Sequence, residues 1–255
     1  MKATAALSIA GSDPSGGAGL QLDLQVFALH GVHGMAVPTA LTVQTTKGVA
    51  KVLPVFPNVI GEALEALFAD VAPAAVKLGM LATDDVLWRV EWALRRCSAP
   101  RIVDPVLRAS DGTFLLERRA WGSLCEKIVP GAALVTPNLD EAEALTATRD
   151  PEAAARFFLE LGARAVLVKG GHALGAADDL LVDASGAATW LRGPRLGGAP
   201  VHGTGCALSA AIAARLARGE PLHTAVSGAK EFVGRGIANA KILGAGARVL
   251  GLVSE

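Results

Sequence analysis

The chain has no net charge to offer: 24 Lys and Arg balance 24 Asp and Glu over 255 residues. A neutral chain exerts no long-range pull on nucleic acid or on anionic membrane surfaces. No Lys/Arg run is long enough to act as a polybasic tail. Cysteine is scarce as well. Cys97, Cys125 and Cys206 lie far apart and match neither a disulfide framework nor a zinc spacing. Reduced thiols in the cytosol are the simple expectation. No apolar run reaches the ~20 residues needed to cross a bilayer. The opening MKATAALSIAGSD has one Lys and a short apolar run, without the full apolar region and cleavage site of a signal peptide. These absences predict a cytoplasmic protein acting on a small molecule, with no nucleic-acid or membrane partner. Tandem repeats, low-complexity stretches and charged linkers are also missing, which favours one domain over residues 1–255.

What the chain does have is alternation. Short apolar runs predict strands over 4–10, 34–44, 74–78, 101–105, 132–136 and 165–169. Between and after them, helical patterns cover 16–30, 57–70, 84–97, 138–146, 151–161, 203–218 and 222–241. In the second of these, Val59, Leu64, Leu67 and Phe68 form the expected apolar side. Thr83 is a good N-cap, and Pro151 suits a first helical turn. Residues 180–183 and 188–191 read as a hairpin around Ser185-Gly186. Strand–helix–strand order at this spacing predicts an α/β fold with a mainly parallel sheet covered on both faces. Such sheets bind ligands beyond the carboxyl ends of their strands.

The chemistry-bearing residues fall at those ends. Gly11-Ser12-Asp13-Pro14-Ser15-Gly16-Gly17-Ala18-Gly19 follows the first strand and opens a helix. Its spacing fits neither a dinucleotide fingerprint nor a phosphate loop, because Gly17 stands where the phosphate loop needs Lys. The plainer reading is a tight turn capped by Asp13 or Ser15. His202-Gly203-Thr204-Gly205-Cys206 leads into an apolar helix. Unpaired N–H groups and the helix dipole make that start an anion site. Cys206 falls in the first turn, where a thiol pKa is lowered and a thiolate could take a proton. A small buried Cys is the alternative.

Pro137-Asn138-Leu139-Asp140-Glu141 is nearly a capping box, yet Asn138 and Glu141 could also arrange water around Mg²⁺. Asp104-Pro105 is either a turn or a carboxylate facing the crevice. Lys169-Gly170-Gly171-His172 suits nucleotide phosphates, or is a turn with a snorkelling Lys. Gln44 carries both a donor and an acceptor, matching the edge of an aminopyrimidine. Asp23 could accept from an amino or hydroxymethyl group.

Together these segments resemble the hydroxymethylpyrimidine/phosphomethylpyrimidine kinases of the ribokinase superfamily. The resemblance runs from Leu7 to about Asn239. LSIAGSDPSGGAGLQLDLQVFALHGVHGMAVPTALTVQTTKGV carries most of it, followed in family order by KLGML, VDPV, LVTPNLDEAEAL, VLVKGGH and HGTGCALSAAIAA. It implies a ribokinase-like three-layer α/β/α sandwich, ATP and Mg²⁺ as cofactors, and a homodimer. It implies that Gly11, Asp23, Gln44 and Met80 hold the pyrimidine. Gly203, Thr204, Gly205 and Cys206 would form the anion hole, with Cys206 as base. Glu141 and Asp104 would organise Mg²⁺, and Lys169, Asn138 and Thr204 would meet the nucleotide. The chain departs from the family after Val106, where Arg108-Ala109-Ser110-Asp111-Gly112 replaces the common Ala-Lys-Ser-Gly, and it lacks a C-terminal His-Gly-x-Gly-Pro.

Overall fold

The computed structural model describes residues 3–170, 177–193 and 199–253. One sheet is built from β1 (Ala5–Ser12), β2 (His33–Thr45), β3 (Gly48–Pro54), β4 (Ala75–Leu78), β5 (Arg101–Val103), β6 (Leu134–Val135), β7 (Ala165–Val168), β8 (Asp179–Asp183) and β9 (Ala188–Leu191). The strands lie in the order β3-β2-β1-β4-β5-β6-β7-β8-β9. The six from β2 to β7 run parallel, whereas β3, β8 and β9 attach antiparallel at the two edges. The 180–191 hairpin was expected. β3 was not, because Gly48 and Pro54 bound only a short run.

Helices cover both faces, giving three layers. α1 (Gly19–Leu29), α7 (Thr204–Ala217) and α8 (Leu222–Ala238) share one core, with Phe27, Ile212 and Phe232. On the other face lie α2 (Pro57–Asp70), α3 (Asp84–Leu94), α5 (Leu139–Thr146) and α6 (Pro151–Glu160), with Leu64, Leu87 and Phe158 in their core. A helical stretch around α4 (Trp121–Ser123), continuing as a π-turn to Ile128, joins that layer. β1 shows why the sequence sorts this way. Leu7 and Ile9 point into one core while Ala6 points into the other, as period-2 geometry requires. Being buried on both faces, β4 and β7 read as continuous apolar runs apart from Lys77.

Helix ends follow local chemistry. Thr83 Oγ1 accepts from Val86 N at 3.3 Å. Asn138 and Glu141 complete a capping box, each accepting the other's backbone N–H at 2.8 Å. Pro151 occupies the first turn of α6. In α2 the expected apolar side holds for Leu64, Leu67 and Phe68, which pack on the core together with Ile60, whereas Val59 is exposed. No described helix is long and apolar enough to cross a membrane. A further two-stranded pair, β10 (Val201–His202) with β11 (Arg248–Val249), sits beside the start of α7 and had no signal in the sequence.

The carboxyl edge of the sheet carries two register slips. β1 and β2 slip between Ala10 and Gly11, and β2 and β3 slip between Val43 and Gln44. Bulges of this kind re-aim side chains at strand ends.

Candidate active site

The carboxyl ends of the parallel strands open into a cavity of about 1490 Å³. Gly11, Gln44, Met80, Asp104, Asn138, Glu141, Lys169 and the run Gly203, Thr204, Gly205, Cys206 all line it. Residues from strands far apart in sequence thus meet where the fold predicts a ligand.

One wall suits a flat ring. Gly11 leaves room for Met80: a Cβ at Gly11 would lie 2.5 Å from the Met80 sulfur. Thr39 Oγ1 donates to the Met80 carbonyl and pins that turn. The Gln44 amide lies between Thr42 Oγ1 at 3.2 Å and His202 Nε2 at 3.0 Å.

Another part of the lining suits an anion. Gly203 is the N-cap of α7 with φ +83°, and a Cβ there would strike the Gly17 carbonyl and Leu22. Only glycine fits such a position without strain. The first helical bond is donated by Ala207 N to the Gly203 carbonyl. The N–H groups of Thr204, Gly205 and Cys206 therefore have no partner inside the helix. A Cβ on Gly205 would lie 3.2 Å from Lys169 Nζ, so an ammonium hangs over the helix start.

Lys169 is itself held. Its Nζ donates to Asp104 Oδ1 at 2.7 Å and lies 3.9 Å from Glu141 Oε2. The snorkelling alternative is thereby excluded. Gly171 and His172 of the same motif lie outside the described residues. Asp104 also accepts from Thr136 at 3.1 Å and Ser209 at 3.2 Å. Burial pushes the Asp104 carboxyl up, but Lys169, Lys77 and these hydrogen bonds win and hold it below its ordinary range. Glu141 is the less satisfied of the two. Burial, opposed by the more distant Lys169, pushes it up to about 7.

Two expectations need correction. Asp23 does not line the cavity; it is fully buried behind it. Lys77 Nζ donates to its Oδ2 at 2.8 Å, and Ser8 Oγ donates to the same oxygen at 2.5 Å. Lys77 is the member of the pair that reaches the cavity. Burial pulls its ammonium down, but the Asp23 carboxylate outweighs this and keeps it charged. The sequence did carry a signal for Lys77, a cation inside a four-residue buried strand, but not for its role.

The second correction concerns Cys206. It does sit in the first turn of α7, but its thiol pKa is raised rather than lowered. Burial pushes it up, Lys77 opposes, and Asp23 and Asp104 add to the rise; Gly19 N–H donates to the sulfur. Burial, with the two carboxylates, outweighs Lys77 and the Gly19 hydrogen bond.

The glycine-rich turn also differs from its plain reading. Asp13 does not cap α1, whose N-cap is Ala18 with no side-chain bond. Asp13 Oδ1 instead accepts from Ser15 N and Oγ at 2.9 and 2.8 Å, and Oδ2 lies 3.1 Å from His202 Nε2. Asp13, Thr42, Lys77 and His202 also line the cavity, although the motifs assigned none of them a role in the site.

A helix start with unclaimed N–H groups, Lys169 over it and two buried carboxylates in one cavity at the carboxyl ends of a ribokinase-like sheet are the features of a small-molecule kinase. The phosphomethylpyrimidine kinase model matches residues 13–250, and the chain belongs to that family. It is 45% identical over 237 residues to the hydroxymethylpyrimidine/phosphomethylpyrimidine kinase of Rhizobium meliloti, covering 89% of this chain and 88% of that one. It is 42% identical over 247 residues to the namesake from Streptomyces coelicolor, covering 94% and 91%. Among solved structures, a pyridoxal kinase from Staphylococcus aureus in complex with ADP superposes with a TM-score of 0.89 at 30% identity, over 98% of this chain and 93% of that one. A phosphomethylpyrimidine kinase from Clostridium difficile gives 0.80 at 36%, over 91% and 98%.

Proposed function

We propose that this chain transfers a phosphoryl group from ATP to the hydroxymethyl group of 4-amino-5-hydroxymethyl-2-methylpyrimidine, and then a second to the monophosphate, for thiamin biosynthesis. It acts as one kinase domain over residues 1–255, in the cytoplasm. The observation that carries this reading is the meeting of Gly11, Gln44 and Met80 with the Gly203–Cys206 helix start in one cavity. That arrangement puts a ring-borne hydroxyl beside the place where an anion is neutralised.

Phosphoryl transfer asks for alignment and charge neutralisation more than for covalent help. The hydroxyl oxygen attacks the γ-phosphorus as the bond to ADP breaks. The N–H groups of Thr204, Gly205 and Cys206, unclaimed within the helix, receive the equatorial oxygens together with Lys169. Asn138 and Thr204 border the nucleotide. Cys206 takes the hydroxyl proton when it is a thiolate, a minor but strongly basic form given its raised pKa. Asp23 acts from behind, holding Lys77 charged against the cavity.

The donor set fits Mg²⁺. Glu141 is a buried carboxylate whose nearest cation is 3.9 Å away, and it lacks a full counter-charge. Glu141 and Asp104 would hold a hydrated Mg²⁺, which when bound neutralises phosphate charge. No three metal-ligating side chains converge among the described residues, which suits an ion carried by the nucleotide better than a protein cage.

A homodimer is part of the proposal. Leu41, Val43 and Leu53 share one side of β2–β3 and stand 51%, 52% and 42% exposed, an apolar strip that a second copy would cover. Sedimentation at rising concentration tests it, and a monomer throughout removes it.

Mass measurement of the products from the pyrimidine and ATP tests the main reading. Mono- and diphosphate are expected. Faster turnover of pyridoxal would move the chain to the pyridoxal kinases, and tight pyrimidine binding without ADP release would make it a sensor.

A further inference from the structure

Gln44 offers the ring wall an amide, and an amide has a direction. In the structure its nitrogen end lies 3.0 Å from His202 Nε2 and its oxygen end 3.2 Å from Thr42 Oγ1. The two ends are nearly the same size, so hydrogen counting and not shape decides which is which.

Both neighbours give the same answer. Thr42 has one hydroxyl hydrogen, and it is committed to the Ser12 carbonyl, which can only accept, at 2.8 Å. Thr42 therefore meets Gln44 with a lone pair, and the amide nitrogen belongs on that side. At the other end, His202 Nε2 lies 3.1 Å from Asp13 Oδ2. Asp13 is held below its ordinary range; burial pushes it up, but His202 and Ser15 more than offset this. Beside a carboxylate, Nε2 must carry its one hydrogen, which then faces both Asp13 Oδ2 and the amide. An amide nitrogen there would set donor against donor, so the amide oxygen, sharing that hydrogen with Asp13, belongs on the His202 side. The imidazole is seated there by Gly17, where a Cβ would lie 2.8 Å from His202 Cδ2.

We infer that Thr42 and the His202–Asp13 pair lock the Gln44 amide with its oxygen toward His202 and its nitrogen toward Thr42, and that this lock makes the pocket read an aminopyrimidine in preference to pyridoxal. The inference rests on the proposal that Gln44 meets the substrate ring. His202 immediately precedes Gly203, so the oxygen end is nearer the helix start where the hydroxymethyl group must lie. In the aminopyrimidine, the ring positions following the hydroxymethyl carbon are an amino group, a donor, and then a ring nitrogen, an acceptor. Gln44 Oε1 accepts from the first and Nε2 donates to the second. Pyridoxal places an aldehyde oxygen where the amino group was, so acceptor meets acceptor. A free amide could turn over to suit it; a locked one cannot. Thr42, His202 and Asp13 are positioning residues that need touch no substrate.

The test compares kcat/KM for hydroxymethylpyrimidine and for pyridoxal, both with ATP. Thr42→Val keeps the shape and removes the lone pair. It is expected to lower the pyrimidine-to-pyridoxal ratio by about tenfold, the usual size of one mismatched buried hydrogen bond. The change should fall on the two ring substrates' KM, with the KM for ATP unmoved. Thr42→Ser restores the ratio because it restores the hydroxyl. His202→Phe keeps the ring and shifts the ratio in the same sense; should it fail to fold, the Thr42 pair carries the test alone. Gln44→Ala separates the two layers. If it raises the pyrimidine KM while Thr42→Val leaves the ratio unchanged, the lock is wrong and the contact stands. If Gln44→Ala leaves that KM unchanged, both are wrong.

Discussion

Cys206 shows how a single residue's chemistry depends on what the fold brings to it. At the first turn of a helix a thiol is expected to ionise early. Here burial, Asp23 and Asp104 push the other way. The working form of the proposed base is therefore scarce at neutral pH, and kcat should climb as the pH rises into the alkaline range. Cys206→Ala should keep its far-UV spectrum and melting temperature while losing most turnover. Cys206→Asp should retain part of it, without the alkaline climb. Normal turnover in the Ala variant would leave Cys206 a bystander.

Glu141 carries the opposite kind of lesson, for its capping role and its charge pull apart. Its folded pKa of about 7 lies above the ordinary glutamate value. Between those two values the folded state holds a proton that the unfolded chain has lost, so stability falls as pH rises through that window. Melting curves from pH 4.5 to pH 7.5 should show this decline, and Glu141→Gln should flatten it. Because Mg²⁺ needs the carboxylate, its affinity with nucleotide should rise through the same range.

Among the elements, α7 does the most, and its first turn depends on backbone that only glycine tolerates. Gly203→Ala forces a φ of +83° onto alanine and drives a methyl into Gly17 and Leu22. A cost of about 1–3 kcal/mol in urea unfolding is expected from the strain, with a larger fall in kcat because the N–H groups lose their aim. A variant with unchanged kcat would mean that phosphate binds elsewhere. The β1 and β2 ends behave similarly, since their register slips deliver Gly11 and Gln44 to the cavity. Gly11 and Gln44 could be named from residue type and position. The slips could not, because a bulge arises from pairing between strands and leaves no mark in either strand alone.

Across the whole molecule, the Lys77–Asp23 pair ties the central strand β4 to α1. Breaking such a buried pair from one side leaves an uncompensated charge and costs about 3–5 kcal/mol. Lys77→Met should therefore unfold at much lower urea than Asp23→Asn combined with Lys77→Met. If the single and double variants are equally stable, the pair contributes nothing as a pair. Lys77→Met/Asp23→Asn should also turn over poorly even where it folds, because the charge next to Cys206 is gone.

The sequence by itself determined the layered α/β plan, the mainly parallel sheet, and the residues at the carboxyl ends of its strands. These follow from periodicity, glycine placement and caps, which act over a few residues. Asp104, Asn138, Glu141, Lys169 and Gly203–Cys206 were legible for that reason. Only the tertiary structure decided that Asp23 stands behind the cavity, that Cys206 holds its proton, and that Asp13, Thr42 and His202 gather around Gln44. Those outcomes depend on burial and on charges and hydrogen-bond partners up to 189 residues apart in the chain, which no local pattern encodes.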